Sequence, residues 1–171
     1  MKNIIFSFLI LMTQVALFGQ AIDTDQSDIG FDIKNMFSNV EGALSGLEGT
    51  VTFDASNLSD AIFDVCLPAN GIDTQNERRD NHLMAEDYFD SSSFGEICFE
   101  STTVRTDGTD FIATGDLTIK GITKSVEIPF TYNNNRFEGN LEIDRYDFGI
   151  GGSGDFMIGR SVNINISASI K

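Results

Sequence analysis

Histidine occurs once in the 171 residues, cysteine twice, proline twice and tryptophan not at all. A tetrahedral zinc site takes three or four nitrogen or sulfur ligands, so one imidazole and two thiols without C-x-x-C spacing do not supply one. Basic residues are scarce as well: 11 Lys and Arg stand against 26 Asp and Glu, a net charge of −15. A field of that sign repels nucleic acid phosphates and anionic lipid surfaces, which argues against both as partners. A serine nucleophile elbow is missing, because "GGSGD" at Gly151–Asp155 fails G-x-S-x-G at its last position. No catalytic residue is therefore assigned, and no enzyme is expected.

Long apolar runs are confined to the amino terminus. Lys2 is followed by the run Ile4–Phe18 and then by the small residues Gly19 and Ala21. A positive start, an apolar run and a small-residue exit describe a secretory signal peptide, and the run is short for a membrane span, which needs about 20 apolar residues. Residues 1–20 are read as a signal peptide and 21–171 as one domain, exported to the periplasm or secreted, without stable insertion in a membrane. That length is enough for a single hydrophobic core.

What the chain has in abundance is alternation. In "SVNINISASIK" the residues Val162, Ile164, Ile166, Ala168 and Ile170 alternate with Ser and Asn, which gives a strand one apolar and one wet face. The same period recurs in Ile29/Phe31/Ile33, Phe63/Val65/Leu67, Ile97/Phe99, Phe111/Ala113/Leu117/Ile119, Val126/Ile128/Phe130/Tyr132 and Phe137/Leu141/Ile143. Val40–Asp54, with Gly42, Gly46 and Gly49, reads as one bent strand or two short ones. Asp107-Gly108, Lys120-Gly121 and Asn133-Asn134-Asn135 mark turns between strands. Short turns joining successive strands predict an all-β, antiparallel up-and-down barrel of about eight strands, with a sandwich as the alternative. Only Thr74–Ser93 lacks the alternation, and a short helical insertion is expected there.

That segment opens with "IDTQNERRDNHL", Ile72–Leu83, which holds the lone His82 beside Arg78, Arg79 and three acids. His82 with Asp80, Glu86 or Asp87 would be a base and its orienting carboxylate, but no nucleophile accompanies them. Local pairing of acids and arginines in a connection is the simpler reading. "GIGGSG", Gly149–Gly154, fits G-x-G-x-x-G on paper. It runs on into the last strand rather than into a helix, and so reads as a loop.

In order and spacing, "FDIKNMFSNVEGALSGLEGTVTFD", "GIDTQNERRDNHLMAEDYFD", "ICFESTTV", "GDLTIKGITKSVEIPFTY" and "EIDRYDFGIG" resemble the YceI-like family of secreted lipid-binding proteins, from about Ile22 to Lys171. The resemblance implies a lipocalin-like barrel with a helical insertion, enclosing an apolar pore for a polyisoprenoid chain such as a quinone tail or a prenyl phosphate. It implies no enzyme and no cofactor. It also implies that Arg79 and Asp80 form an ion pair or cap and that His82 packs or hydrogen-bonds beneath the helical connection. One departure is Asn35, which stands where the family commonly has histidine after the lysine of the first strand.

A barrel of this size has an interior just wide enough for side chains or one slim ligand. Its lipid-binding wall is expected from Phe31, Ile33, Leu44, Phe99, Phe111, Leu117, Ile119, Phe137, Leu141, Ile164 and Ile166. Head-group contacts are sought at Lys34, Asn35 and Arg145, with Arg78, Arg79 and Arg160 as further cations; without a basic cluster, a neutral quinone fits better than a pyrophosphate. The function expected is a carrier, store or sensor for an isoprenoid-type lipid, with a homodimer left open. The competing reading is a secreted structural or interaction barrel whose side chains fill its own core. Cys66 and Cys98 each point away from the apolar face of their strand. If those strands pair, the two share an outer face, and a disulfide closing a loop of 32 positions is expected.

Overall fold

The computed structural model describes residues 19–35, 38–152 and 157–171; the segment read as a signal peptide lies outside them apart from its last two positions. The strands are β1 (Gln20–Ala21), β2 (Asp28–Asn35), β3 (Asn39–Leu44), β4 (Glu48–Thr52), β5 (Ile62–Pro68), β6 (Ile72–Asp73), β7 (Glu96–Asp107), β8 (Asp110–Ile119), β9 (Ile122–Asn133), β10 (Arg136–Asp144) and β11 (Ile158–Ser169). All join one sheet in the order β1-β4-β5-β7-β8-β9-β10-β11-β2-β3-β6, and every pairing is antiparallel. The sheet curls until Ile22, just past β1, meets Ile170, just past β11.

Eleven strands replace the expected eight or so. Part of the difference is β1 and β6, two residues each, too short to show a period. The rest is the glycine-bearing stretch, which divides into β3 and β4. Gly46 has φ +89° and Gly49 φ +133°, conformations that side chains rarely adopt, and a Cβ on Gly49 would stand 2.2 Å from the carbonyl oxygen of Asp64. The expected turns are present. Lys120-Gly121 and Asn134-Asn135 both have positive φ at their two central residues, the geometry whose twist matches paired strands.

Between β6 and β7 lies the only α-helix among the described residues, α1 (Glu77–Leu83). The Asn76 side chain accepts from the Arg79 N–H at 3.1 Å and caps its start. Arg79 and Asp80 do not pair directly; both engage the buried Thr74. Arg79 Nε donates to Thr74 Oγ1 at 2.7 Å and its terminal nitrogen to the Thr74 carbonyl at 2.8 Å. The Thr74 N–H and hydroxyl both donate to Asp80 Oδ1. This knot ties the helix to the strand before it. Among the described residues no helix is long and apolar enough to cross a membrane.

One region of the barrel interior is solid. Phe53, the residue after β4, has its ring centroid 4.9–6.1 Å from those of Phe63, Phe111, Phe130, Tyr132 and Phe137, most of them edge-on. Tilted and edge-to-face contacts at these separations are the favoured aromatic geometry. The cluster closes that part of the interior and leaves the remainder open.

Candidate functional site

The open part is a cavity of about 380 Å³ whose wall is almost entirely apolar. A dry cavity of about 150 Å³ lined by Leu, Ile and Phe already accepts benzene, so this one has room for a considerably longer hydrocarbon. Alternation builds it: along β2 the residues Ile29, Phe31 and Ile33 all line the space, and along β11 so do Val162, Ile164, Ile166 and Ala168. Gly42 makes room for one of these side chains, since a Cβ there would lie 2.5 Å from the Phe31 ring.

Of the wall residues expected from sequence, Phe31, Ile33, Leu44, Phe99, Leu117, Ile119, Phe137, Leu141, Ile164 and Ile166 line the cavity. Phe111 does not. It lies second in β8 among the aromatic cluster, stacked 5.4 Å from Phe130, and backs the wall from behind. The expectation missed the contribution of the insertion, where Arg79, His82, Leu83, Tyr88 and Phe89 also border the cavity. Exposed His82 tilts over buried Tyr88 with ring centroids 4.8 Å apart. Arg79 and His82 also border an open outer depression with Asn76 and Arg78, so the insertion forms a rim between cavity and solvent.

The head-group candidates separate sharply. Lys34 is exposed and out of phase with Phe31 and Ile33, so it faces away from the cavity. Arg145 does reach the wall, but the residue is only 2% exposed and its guanidinium is taken up by the protein itself. It donates to the carbonyls of Gly159 (2.9 Å) and Ile150 (2.8 Å) and to the Tyr146 hydroxyl (2.9 Å). Its role is to brace the loop after β10 against the start of β11. Asn35 lines the cavity, and its Oδ1 is buried with no hydrogen-bond partner among the described residues.

A solvent-side latch supports this brace. Arg160 meets Asp144 at 2.5 Å, and both Arg145 and Arg160 lie over the Tyr146 ring, at 4.2 and 5.3 Å. The Asp144 carboxyl is held below the ordinary carboxylate range chiefly by the Tyr146 N–H that it accepts; burial opposes this, and Arg160 adds to it. A depressed folded-state value means that the stabilisation is present above the ordinary carboxylate range and is lost as pH falls through the folded value. The acid limb of the stability profile is therefore expected to shift in Asp144→Asn, with part of the wild-type loss below about pH 4 absent, as read by thermal melts across pH.

Cys66 and Cys98 stand opposite each other on β5 and β7 and are joined as a disulfide, with Cα atoms 4.1 Å apart. Glu96 lies beside the bridge. Sulfurs bonded to each other are not thiolates, so this trio is not a metal site in the form the structure holds.

Comparison with known proteins supports the same architecture. A UPF0312 protein of Shewanella denitrificans is 30% identical over 164 residues, covering 88% of this chain and 86% of that one. Other curated relatives, from Photorhabdus laumondii and Escherichia coli among others, are spanned over about half of their length. BcnA of Burkholderia cenocepacia superposes with a TM-score of 0.81 at 24% identity, over 86% of this chain and 98% of that one. A polyisoprenoid-binding domain from Saccharophagus degradans, implicated in plant cell wall breakdown, gives a TM-score of 0.69 at 12% identity, over 90% of this chain and 98% of that one. The family model for the YceI-like domain matches residues 20–170, essentially all of the described fold, and the chain belongs to the YceI-like family.

Proposed function

We propose that this protein binds an isoprenoid-type lipid, a quinone or prenyl chain, in the cavity of its barrel and serves as a non-catalytic carrier, store or sensor. One observation carries the reading: an apolar cavity of about 380 Å³ bordered by residues from most of the long strands and by the insertion. A barrel stabilised only by its own side chains would leave no such space, because protein interiors are packed to the density of organic crystals. Each CH₂ of a lipid tail taken from water contributes about 0.8 kcal/mol, so a chain of several isoprene units binds well without any polar contact. The likeness in fold to the Saccharophagus degradans domain, which binds polyisoprenoid, supports the same ligand class.

The polar groups on the wall favour holding over chemistry. Arg145 is engaged by backbone carbonyls and Arg79 by Thr74, so neither guanidinium is poised to act on a reacting centre. Export to a periplasm or beyond the cell is part of the proposal and rests on the amino-terminal sequence. Native mass spectrometry of freshly purified protein tests the binding function. The expected result is a co-purifying lipid, or uptake of an added C20 isoprenoid with one molecule per chain. Protein that carries none and takes up none would return the barrel to a structural or interaction role, and conversion of the bound lipid would make it an enzyme.

A further inference from the structure

Among the described residues, the buried side-chain oxygen left without a hydrogen-bond partner belongs to Asn35, a residue of the cavity wall. Asn35 ends β2 in phase with Ile29, Phe31 and Ile33, so the pleat that directs those three inward directs the amide inward too. By pattern this position calls for an apolar residue, and a polar one on an inward face is an error unless it has a use. Its Oδ1 is buried and meets no donor among the described residues. Such an unmet acceptor is destabilising, and native proteins pair nearly all of them.

The neighbouring backbone is shaped around this site. Asn35 pairs with Ile158, while Ile33 pairs with Val162, so β11 bulges at this point. Bulges re-aim side chains and are features of functional edges. Arg145 donates to the Gly159 carbonyl within the bulge and so fixes the strand facing Asn35, and a Cβ on Gly159 would lie 2.8 Å from the Lys34 carbonyl oxygen. The guanidinium groups on the wall, Arg145 and Arg79, are engaged elsewhere, and His82 stands exposed at the rim, which leaves Asn35 as the amide offered to a ligand within the barrel.

Resting on the lipid-binding reading above, we infer that Asn35 anchors a neutral hydroxyl at the head of the isoprenoid, with that O–H donating to Asn35 Oδ1. The amide turns about a broad, roughly two-fold torsion, so Oδ1 can be presented to the cavity when a donor arrives. The inference selects hydroxyl-bearing isoprenoids, whether prenyl alcohols or prenylated hydroquinones, over heads that only accept, such as quinones and ethers, because the amide N–H groups can donate to those heads but Oδ1 then stays unmet. It also selects against diphosphates, for which no unengaged guanidinium stands beside Asn35.

Geranylgeraniol and its methyl ether share one tail and differ in the donor. Titrated against wild type and Asn35→Leu, they separate the head from the cavity. The alcohol is expected to bind wild type about tenfold more tightly than the ether, and the two are expected to bind Asn35→Leu alike, with the ether no weaker than before. The unchanged ether affinity certifies that the variant is folded with its cavity intact. Equal binding of both probes by wild type, or a preference for the alcohol that survives in Asn35→Leu, overturns the inference and leaves the lipid reading standing. Uptake of neither probe by wild type removes the lipid reading and this inference together. A prenylated hydroquinone compared with its quinone at equal tail length then identifies the source: preference for the reduced form makes the hydroxyl phenolic, and its absence beside a preserved alcohol preference makes it a prenyl alcohol.

Discussion

Replacing Cys66 and Cys98 together with alanine is expected to lower the unfolding free energy by about 3 to 4 kcal/mol and the melting temperature by about 10 °C. The magnitude comes from the closed loop of 32 positions, whose freedom the bridge removes from the unfolded chain. That loop contains β6, α1 and the rest of the insertion, so the bridge clamps the base of the segment that carries Arg79, His82, Leu83, Tyr88 and Phe89 to the cavity rim. The pairing it reinforces is short: only Asp64–Pro68 of β5 meets Glu96–Glu100 of β7. Chemical denaturation with and without reductant reads the effect. Reductant should move the wild-type midpoint down to that of the double variant and leave the variant where it is. Coincident midpoints for oxidised wild type and the variant would show that the bridge constrains nothing the fold does not already constrain.

The opposition of Cys66 and Cys98 was legible because strand phase is legible. Val65 and Leu67 flank one cysteine and Ile97 and Phe99 the other, so the apolar sets put both cysteines in the alternate phase of their strands, and antiparallel register places them opposite each other. The same logic carries most of the cavity wall, and it also disposes of Lys34. Phase puts that side chain on the outer face, and choosing it for its charge alone ignored the pattern of its own strand. Phe111 shows where phase stops being enough. It is in phase with Ala113 and Leu117, but height along the barrel decides whether an inward residue meets open space or the Phe53 cluster, and height depends on the stagger of strands far apart in sequence.

Two further features carry no short-range signal. Arg145 reads as a cation available to a ligand, whereas its partners are main-chain carbonyls of Ile150 and Gly159, groups that every residue has and no sequence advertises. The insertion's share of the wall is hidden for another reason. Its helix is seven residues long, barely two turns, so Leu83, Tyr88 and Phe89 fall on no single helical or strand face. Their place is set by tertiary contacts, including the Lys120 ammonium donating to the Glu86 and Gly149 carbonyls at 2.6 and 3.1 Å.

The vacancy is most directly tested by filling it. Leu141 lies midway along β10, paired with Ile164, and both side chains border the cavity while remaining only half-buried. Leu141→Trp is expected to weaken uptake of a C20 isoprenoid about a hundredfold. An indole in place of the isobutyl group displaces three or four methylenes of ligand, each contributing about 0.8 kcal/mol, or about 3 kcal/mol in all. Stability is expected to hold or rise, because the ring enters existing space and buries its own surface there. A barrel packed solid responds in the opposite way: forcing a larger side chain into a filled core costs about 1–3 kcal/mol. Titration of the isoprenoid and a thermal melt on the same samples therefore separate the two interiors. Lost binding with a kept melting temperature places the tail in the space beside Leu141. A lowered melting temperature with unchanged binding would mean that this part of the interior is occupied by the protein itself and that the lipid sits elsewhere.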